Sequence, residues 1–441
     1  MRLDSRRMAP AGVAGAWRNR SPPLPVRDLL VVLGCSWAAR AVVIATWPRS
    51  AHSDDLTSWM TVAAQLRQGA NPYVTTTIVK WPPFALVIVW LIDHLSRALS
   101  ISFFDAMRVT LIAAESAIVV VLYLLLTRFA PRQTVRRTLL VGISLNPIAI
   151  LFVCQHENID VFVGLCVVLA LWALVAAHDA TDSVPWLAAC LALGLGAFVK
   201  TIPLVLAPLL VPGFRAASRL ARTLGLALFL GPIVLSLSIV FVLAPHAVVD
   251  NVLLYRSISG YFGATGFLQR AHLHGLSHAY ERAFTVVLVA AVVLLARATW
   301  RRGLDGRGSV LLAGLLLLAI PALGPGYAPQ YAYWFLPPLL ASYVLFDDGW
   351  RRILLVAYAV AAVDWVVEYA LLRALGRFLV AFFADSGSLG RLSDRLSTPG
   401  AETALRIPLF AVSLVVLVAG ARRVREHVGA ARDPKTAPHT S

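Results

Sequence analysis

Apolar residues run in long stretches near 29–47, 106–127, 138–154, 159–177, 184–199, 200–212, 223–245, 283–297, 309–323, 328–346, 352–372 and 403–421, separated by short polar links. A helix needs about 20 apolar residues to cross a bilayer core of roughly 30 Å. The pattern therefore predicts an all-α, polytopic membrane protein with about twelve transmembrane helices. The run 200–212 is short and Pro-rich, and can pair with 184–199 as a broken hairpin. The stretch 84–92 breaks the pattern, being too short and followed directly by Asp93, His94 and Arg97.

Composition agrees. Charged residues make up 14% of the 441-residue chain, against about 25% in soluble domains. The net charge of +16 first suggests a nucleic-acid partner. However, the basic residues fall in short clusters between apolar runs, as topology signals do, and no nucleic acid is expected. If the N-terminus is cytoplasmic and 84–99 does not cross, about twice as many basic residues lie inside as outside. Letting 84–99 cross would turn every later basic loop outward. Residues 48–105 thus read as one large outer loop of amphipathic or re-entrant helices. The expected organisation is an Arg-rich cytoplasmic tail over 1–28, a transmembrane domain over 29–421 with 48–105 as its extracytoplasmic loop, and a basic cytoplasmic tail over 422–441. The first apolar run reads as a retained signal anchor in a bacterial plasma membrane. Cys35, Cys154, Cys166 and Cys190 all lie in apolar segments and read as small core residues.

This threading brings polar residues together at the outer face: Asp54, Asp55 and Lys80, the segment 155–160, Lys200, the loop 246–282, and 327–331. Two carboxylates opening a helix have a structural explanation, since Ser53 can cap it and acids complement the helix dipole. They also suit a general base taking a proton from an attacking hydroxyl, and carboxylates at the mouth of a span are costly unless they have work there. The only lysines are Lys80, Lys200 and Lys435 among 39 basic residues. Lys200, at the end of an apolar run, either snorkels to the interface or presents a compact charge to a phosphate. Lys80 carries the same reading more weakly. His156, Glu157, Asn158 and Asp160 join two spans with almost no loop and must face protein or water; a structural turn, substrate hydrogen bonding and metal binding all fit. Tyr255-Arg256 and Tyr261-Phe262-Gly263 suit part of an acceptor or phosphate site. His272, His274 and His278 lack a Cys partner or an HExxH frame, so no metal site is assigned to them. An acidic pair can bind a divalent cation, which is the one cofactor left open. Neither standard nucleotide-binding glycine loop occurs, so a nucleotide-sugar donor and ATP drive are not expected.

In order along the chain stand the acidic pair with Gly69-x-Asn71-Pro72-Tyr73, Trp81-Pro82-Pro83, Asn146-Pro147, His156-x-Asn158-x-Asp160, Lys200-x-x-Pro203, Tyr255-x-Ser257-x-x-Gly260-Tyr261-x-Gly263, and Pro329-Gln330-Tyr331 with Trp334. This series resembles the GT-C superfamily of membrane glycosyltransferases, and is most similar to glycosyltransferase family 87 and the GPI mannosyltransferases. The resemblance implies a polyprenyl-phosphate sugar donor, a lipid or glycan acceptor within the membrane lipids, and inverting transfer of a hexose, mannose being the favoured one. It implies Asp54 as base, by its distance to Gly69, with Asp55 assisting or binding a cation. Lys200 and Arg256 would hold the donor phosphate. Lys80, His156, Asn158, Asp160, Tyr255, Gln330 and Tyr331 would line the site. The competing class is a multi-span secondary transporter, which predicts internal repeats and polar residues at mid-membrane. The chain shows no similarity between its halves, and its polar clusters sit at span ends.

Overall fold

The structure is a computed structural model that describes residues 26–46, 54–76, 78–247, 263–326, 329–367 and 399–428. Tyr255, Arg256, Tyr261 and Phe262, most of both tails and the segment 368–398 lie outside these residues. The described parts of the twelve apolar runs are mostly helical, and no strand occurs among the described residues. The helices are α1 (Val26–Thr46), α2 (Asp54–Arg67), α3 (Pro72–Thr75), α4 (Pro83–Ala98), α5 (Phe103–Leu126), α6 (Arg132–Leu139), α7 (Pro147–Leu151), α8 (Asp160–Asp179), α9 (Val184–Val199), α10 (Ala207–Ala216), α11 (Arg219–Leu243), α12 (Pro245–Ala247), α13 (Gly263–Arg270), α14 (His274–Arg302), α15 (Gly306–Leu323), α16 (Ala332–Leu345), α17 (Asp348–Val366) and α18 (Pro399–His427).

Seven of these are long and apolar enough to cross a membrane alone: α1, α5, α8, α11, α14, α15 and the 406–427 part of α18. A bent pair, Arg132–Ser144 with Pro147–His156, turned by 46° at its break, makes an eighth when counted as one span. The break follows from Asn146-Pro147. Asn146 accepts from the Ile148 N–H at 2.8 Å and donates to the Gly142 carbonyl at 3.0 Å, so it ends one helix and starts the next, while Pro147 sits at a first-turn position where its missing N–H costs nothing. Both halves finish in π-type turns, Leu140–Ser144 and Phe152–His156. Helices α9 and α16 are apolar but shorter, as is the stretch Ile202–Ala216 that carries α10. Length and composition thus account for up to eight of the twelve expected crossings.

The awkward stretch 84–92 belongs to α4. This helix buries Ala85, Leu86, Ile88, Val89 and Ile92 and leaves Val87, Trp90, Leu91 and Leu95 exposed, an apolar stripe at helical spacing of the kind that lies on a membrane surface. Asp93, which ends the apolar run in the sequence, is buried, with Arg97 3.3 Å and Arg67 3.7 Å away. The charges that shorten the run therefore tie α4 to α2. Gly69, at φ +68, stops α2 in the left-handed region. Asn71 then caps α3, accepting from the Tyr73 N–H at 3.1 Å, and donates to the Leu243 carbonyl at 3.2 Å. Tyr73 donates its hydroxyl to the Trp81 carbonyl at 2.6 Å, and the Trp81 ring packs 3.9 Å from that of Trp59.

Ion pairs gather several helix ends at one end of the bundle. Arg136 meets Asp28 at 2.9 Å, Arg423 meets Asp347 at 2.9 Å, and His427 Nδ1 lies 2.8 Å from Asp305. Asp305 also caps α15 through the Gly308 N–H at 2.6 Å. Burial alone would raise the Asp305 carboxyl, but His427, the Gly308 N–H and His178 outweigh it and hold the group below its usual range. Such a carboxylate stabilises the fold above its unfolded pKa and loses that contribution as pH falls through the lower folded value. Asp305→Ala should therefore cost about 1 kcal/mol at pH 7, the worth of a cap. Thermal unfolding in detergent should show the gap from wild type closing below about pH 4.

Inside the bundle, Arg40 of α1 pairs with Glu115 of α5 at 2.5 Å, both fully buried. Arg40 also donates to the Ser36 and Ser144 carbonyls at 3.0 Å, and Tyr333 of α16 donates to Glu115 at 3.0 Å. Two charges in such surroundings persist only when their remaining donors and acceptors are met. Here they join α1, α5, the bent pair and α16, placing the Phe152–His156 turn against Tyr333, whose ring stacks on Phe152 at 4.5 Å.

Candidate active site

At the end of the bundle away from these ion pairs lie the start of α2, the turn before α8, the end of α9 and the start of α16. Glu157 is what shapes the turn. Its backbone is left-handed, φ +54, and its N–H closes on the Phe152 carbonyl at 2.8 Å. The chain reverses there, and the residues on either side both reach Asp55. His156 Nε2 lies 3.0 Å from Asp55 Oδ2, and Asn158 Nδ2 donates to the same oxygen at 2.7 Å. No hydrogen bond from a described residue reaches Asp55 Oδ1, and the side chain is 25% exposed. One carboxylate oxygen is pinned, and no described residue holds the other.

Asn158 links this group to a second one. Its Oδ1 accepts from the Asp160 N–H at 3.0 Å, opening α8. Both Asp160 oxygens accept from Lys200 Nζ, at 3.0 and 2.9 Å, and Trp334 Nε1 donates to Oδ2 at 2.9 Å. The Tyr331 and Trp334 rings stack at 4.2 Å, and Lys200 Nζ sits 5.4 and 4.7 Å from their centres. The ammonium is thus held by a carboxylate and by two ring faces. Asp160 is fully buried with its oxygens taken up inside the protein, so it orients Lys200. Desolvation pushes the Asp55 carboxyl up, but hydrogen bonding to His156, the His156 charge, Asn158 and Lys200 more than offset it, and the group titrates below the usual carboxylate range. At neutral pH it is a carboxylate ready to accept a proton.

Of the residues singled out in the sequence, Asp55, His156, Asn158, Asp160, Lys200 and Tyr331 come together. Asp54 begins α2, but its side chain lies outside the described residues, as do Tyr255 and Arg256. Gln330 is half-buried on the short turn Pro329–Tyr331, beside Tyr331. Lys80 is exposed in the link between α3 and α4. His272 and His274 keep their rings 6.4 Å apart, and among the described residues no group of three or more His, Cys, Asp or Glu side chains could hold a metal ion. Sequence reasoning missed two contributors, Arg108 and Trp365. Arg108 donates to Glu157 at 2.6 Å, and the Trp365 ring meets His156 edge-on at 6.0 Å. Arg108 was legible only as a lone arginine inside an apolar run, and the tryptophan carried no signal.

A bundle of apolar helices with a carboxylate, an imidazole and an ammonium ion collected at one end defines an integral-membrane enzyme. The chain belongs to glycosyltransferase family 87, whose model matches residues 81–321, and it is a membrane glycosyltransferase that is all-helical over the described residues. That membership sets aside the transporter alternative. The match takes in His156, Asn158, Asp160 and Lys200 but not Asp55, so the place of Asp55 rests on geometry. Among solved structures the chain is similar to ArnT from Cupriavidus metallidurans bound to undecaprenyl phosphate, at 14% identity and a TM-score of 0.48, over 94% of this chain and 82% of that one. No curated protein matches it.

Proposed function

We propose that this glycosyltransferase moves a hexose, with mannose the favoured one, from a polyprenyl-phosphate sugar to a hydroxyl of a lipid or glycan acceptor. The reaction inverts the sugar carbon and takes place at the extracytoplasmic face. One observation carries the reading: a carboxylate with one oxygen fixed by His156 and Asn158 stands in the same polar group as a braced lysine. The free Oδ1 of Asp55 takes the proton of the acceptor hydroxyl as its oxygen bonds to the anomeric carbon. The bond from that carbon to the phosphate oxygen breaks, and its electron pair leaves on the lipid phosphate. The Lys200 ammonium offsets the charge that develops there. An Asp held below its usual range is a weak base, and position supplies what basicity does not. The site end of the bundle is the extracytoplasmic one in this reading, because the opposite end gathers the arginine-rich helix termini.

The reading is tested with purified protein in lipid nanodiscs, given radiolabelled polyprenyl-phosphate mannose, galactose, glucose or arabinose and a membrane lipid extract. Donor-dependent label transfer with inverted anomeric configuration by NMR is expected. A product that retains the donor configuration would remove the single-displacement mechanism and, with it, the role given to Asp55.

A further inference from the structure

Glu157 sits between the two residues that hold Asp55, yet its own side chain turns to Arg108 instead. Its side chain is fully buried, and its Oε1 accepts from Arg108 Nε at 2.6 Å. Arg108 is itself buried in α5, with its guanidinium 3.6 Å above the Phe104 ring. A second donor of the same guanidinium, Nη2, reaches the Cys154 carbonyl at 2.8 Å. One planar group therefore grips the turn at two points, a main-chain carbonyl before His156 and the side chain after it. A left-handed backbone at a residue with a Cβ is strained and persists only where the surroundings fix it. The described contacts that fix it are the Phe152 carbonyl and Arg108.

We infer that Arg108 is a positioning residue for the transfer reaction, its fork on Glu157 and the Cys154 carbonyl fixing the turn that presents His156 and Asn158 to Asp55. The inference rests on the reading of Asp55 as the base. It assigns Arg108 no contact with donor or acceptor. Loosening the turn lets the pinned oxygen of Asp55 drift, which changes the aim of the free oxygen and the electrostatics of the base together. A displacement of about 1 Å at such a site can cost 100-fold in rate. The donor phosphate site at Lys200 hangs on Asp160 and Trp334, so donor binding should be spared.

Two variants separate positioning from folding. Arg108→Lys keeps the charge that balances Glu157 but cannot make both contacts at once. The double variant R108M/E157Q removes both buried charges together, so that neither is left unpaired. Both should fold as judged by size-exclusion profile and thermal unfolding. Against wild type in the same nanodiscs, kcat should fall roughly 10-fold for Arg108→Lys and about 100-fold for the double variant, with the donor KM within about twofold. The acidic limb of the pH–rate profile should move, because Asp55 loses the hydrogen bonds that hold its carboxyl low. Wild-type kcat and an unmoved acidic limb in a folded Arg108→Lys or R108M/E157Q protein would overturn the inference.

A second readout does not depend on turnover. The ring resonances of His156, assigned by difference with His156→Gln, should shift in both variants and lose their response to Asp55→Asn. Unshifted resonances would also overturn it. If wild type transfers no label from any donor, the reading of the function fails on that arm, while the ring resonances still decide whether Arg108 sets the turn.

Discussion

Asp55→Asn is expected to lower kcat by about 10²–10⁴-fold, the range that a positioned general base supplies, without loss of fold. The asparagine keeps an oxygen for the Asn158 donor and the His156 ring and loses the ability to take a proton. The geometry explains why the effect should fall on Asp55. Its carboxylate reaches two side chains of the turn before α8 through one oxygen, and no described residue holds the second. The adjacent Asp54→Asn variant should retain most of the turnover, since acids in the first turn of α2 also serve the helix dipole. Single-turnover label transfer measures both. Should Asp54→Asn be the silent enzyme and Asp55→Asn the active one, the base moves one residue along and the His156–Asn158 clamp becomes a structural tie for the outer loop. The pH dependence gives a second check. A base held below its usual range should keep wild-type kcat flat through neutral pH, with the acidic fall beginning below about pH 4.

What the sequence disclosed depended on the range of the forces involved. Burial in lipid acts on whole runs of residues, so the helices stand where the apolar stretches are, and the short run at 84–92 falls within the 16-residue helix α4. The count of crossings was less legible. Asn146-Pro147 bends one span by 46°, and a bend is a local backbone event inside an apolar run that hydropathy averages away. The gathering of Asp55, His156, Asn158, Asp160 and Lys200 at one end was visible as polar residues at span ends on one side of the threading. Their division of labour was not. Asp160 read as a lining residue, whereas Lys200 and Trp334 occupy it. Arg108 and Glu157 are 49 positions apart, and only the packing of α5 against the π-type turn makes them a pair.

Lys200 is where structural and chemical roles can be pulled apart most sharply. Lys200→Met should be both inactive and unstable. It removes the cation proposed to face the leaving phosphate, and it strands Asp160, which is fully buried and would keep only the Trp334 N–H and its own helix start. Breaking a buried pair from one side costs about 3–5 kcal/mol, enough to unfold a marginal membrane protein in detergent. Lost activity in that variant alone therefore says little. The informative variant is K200M/D160N, which neutralises the pair and leaves an amide that still accepts from Trp334. Removing both charges relieves the stranded carboxylate, so most of the thermal stability should return. Turnover should stay down by about 10²–10³-fold, the usual loss when one group facing a developing negative charge is taken away. If turnover returned with stability, the lysine would be a strut for α8 and α9, and the cation facing the phosphate would have to be sought elsewhere, with Arg256 the first to replace.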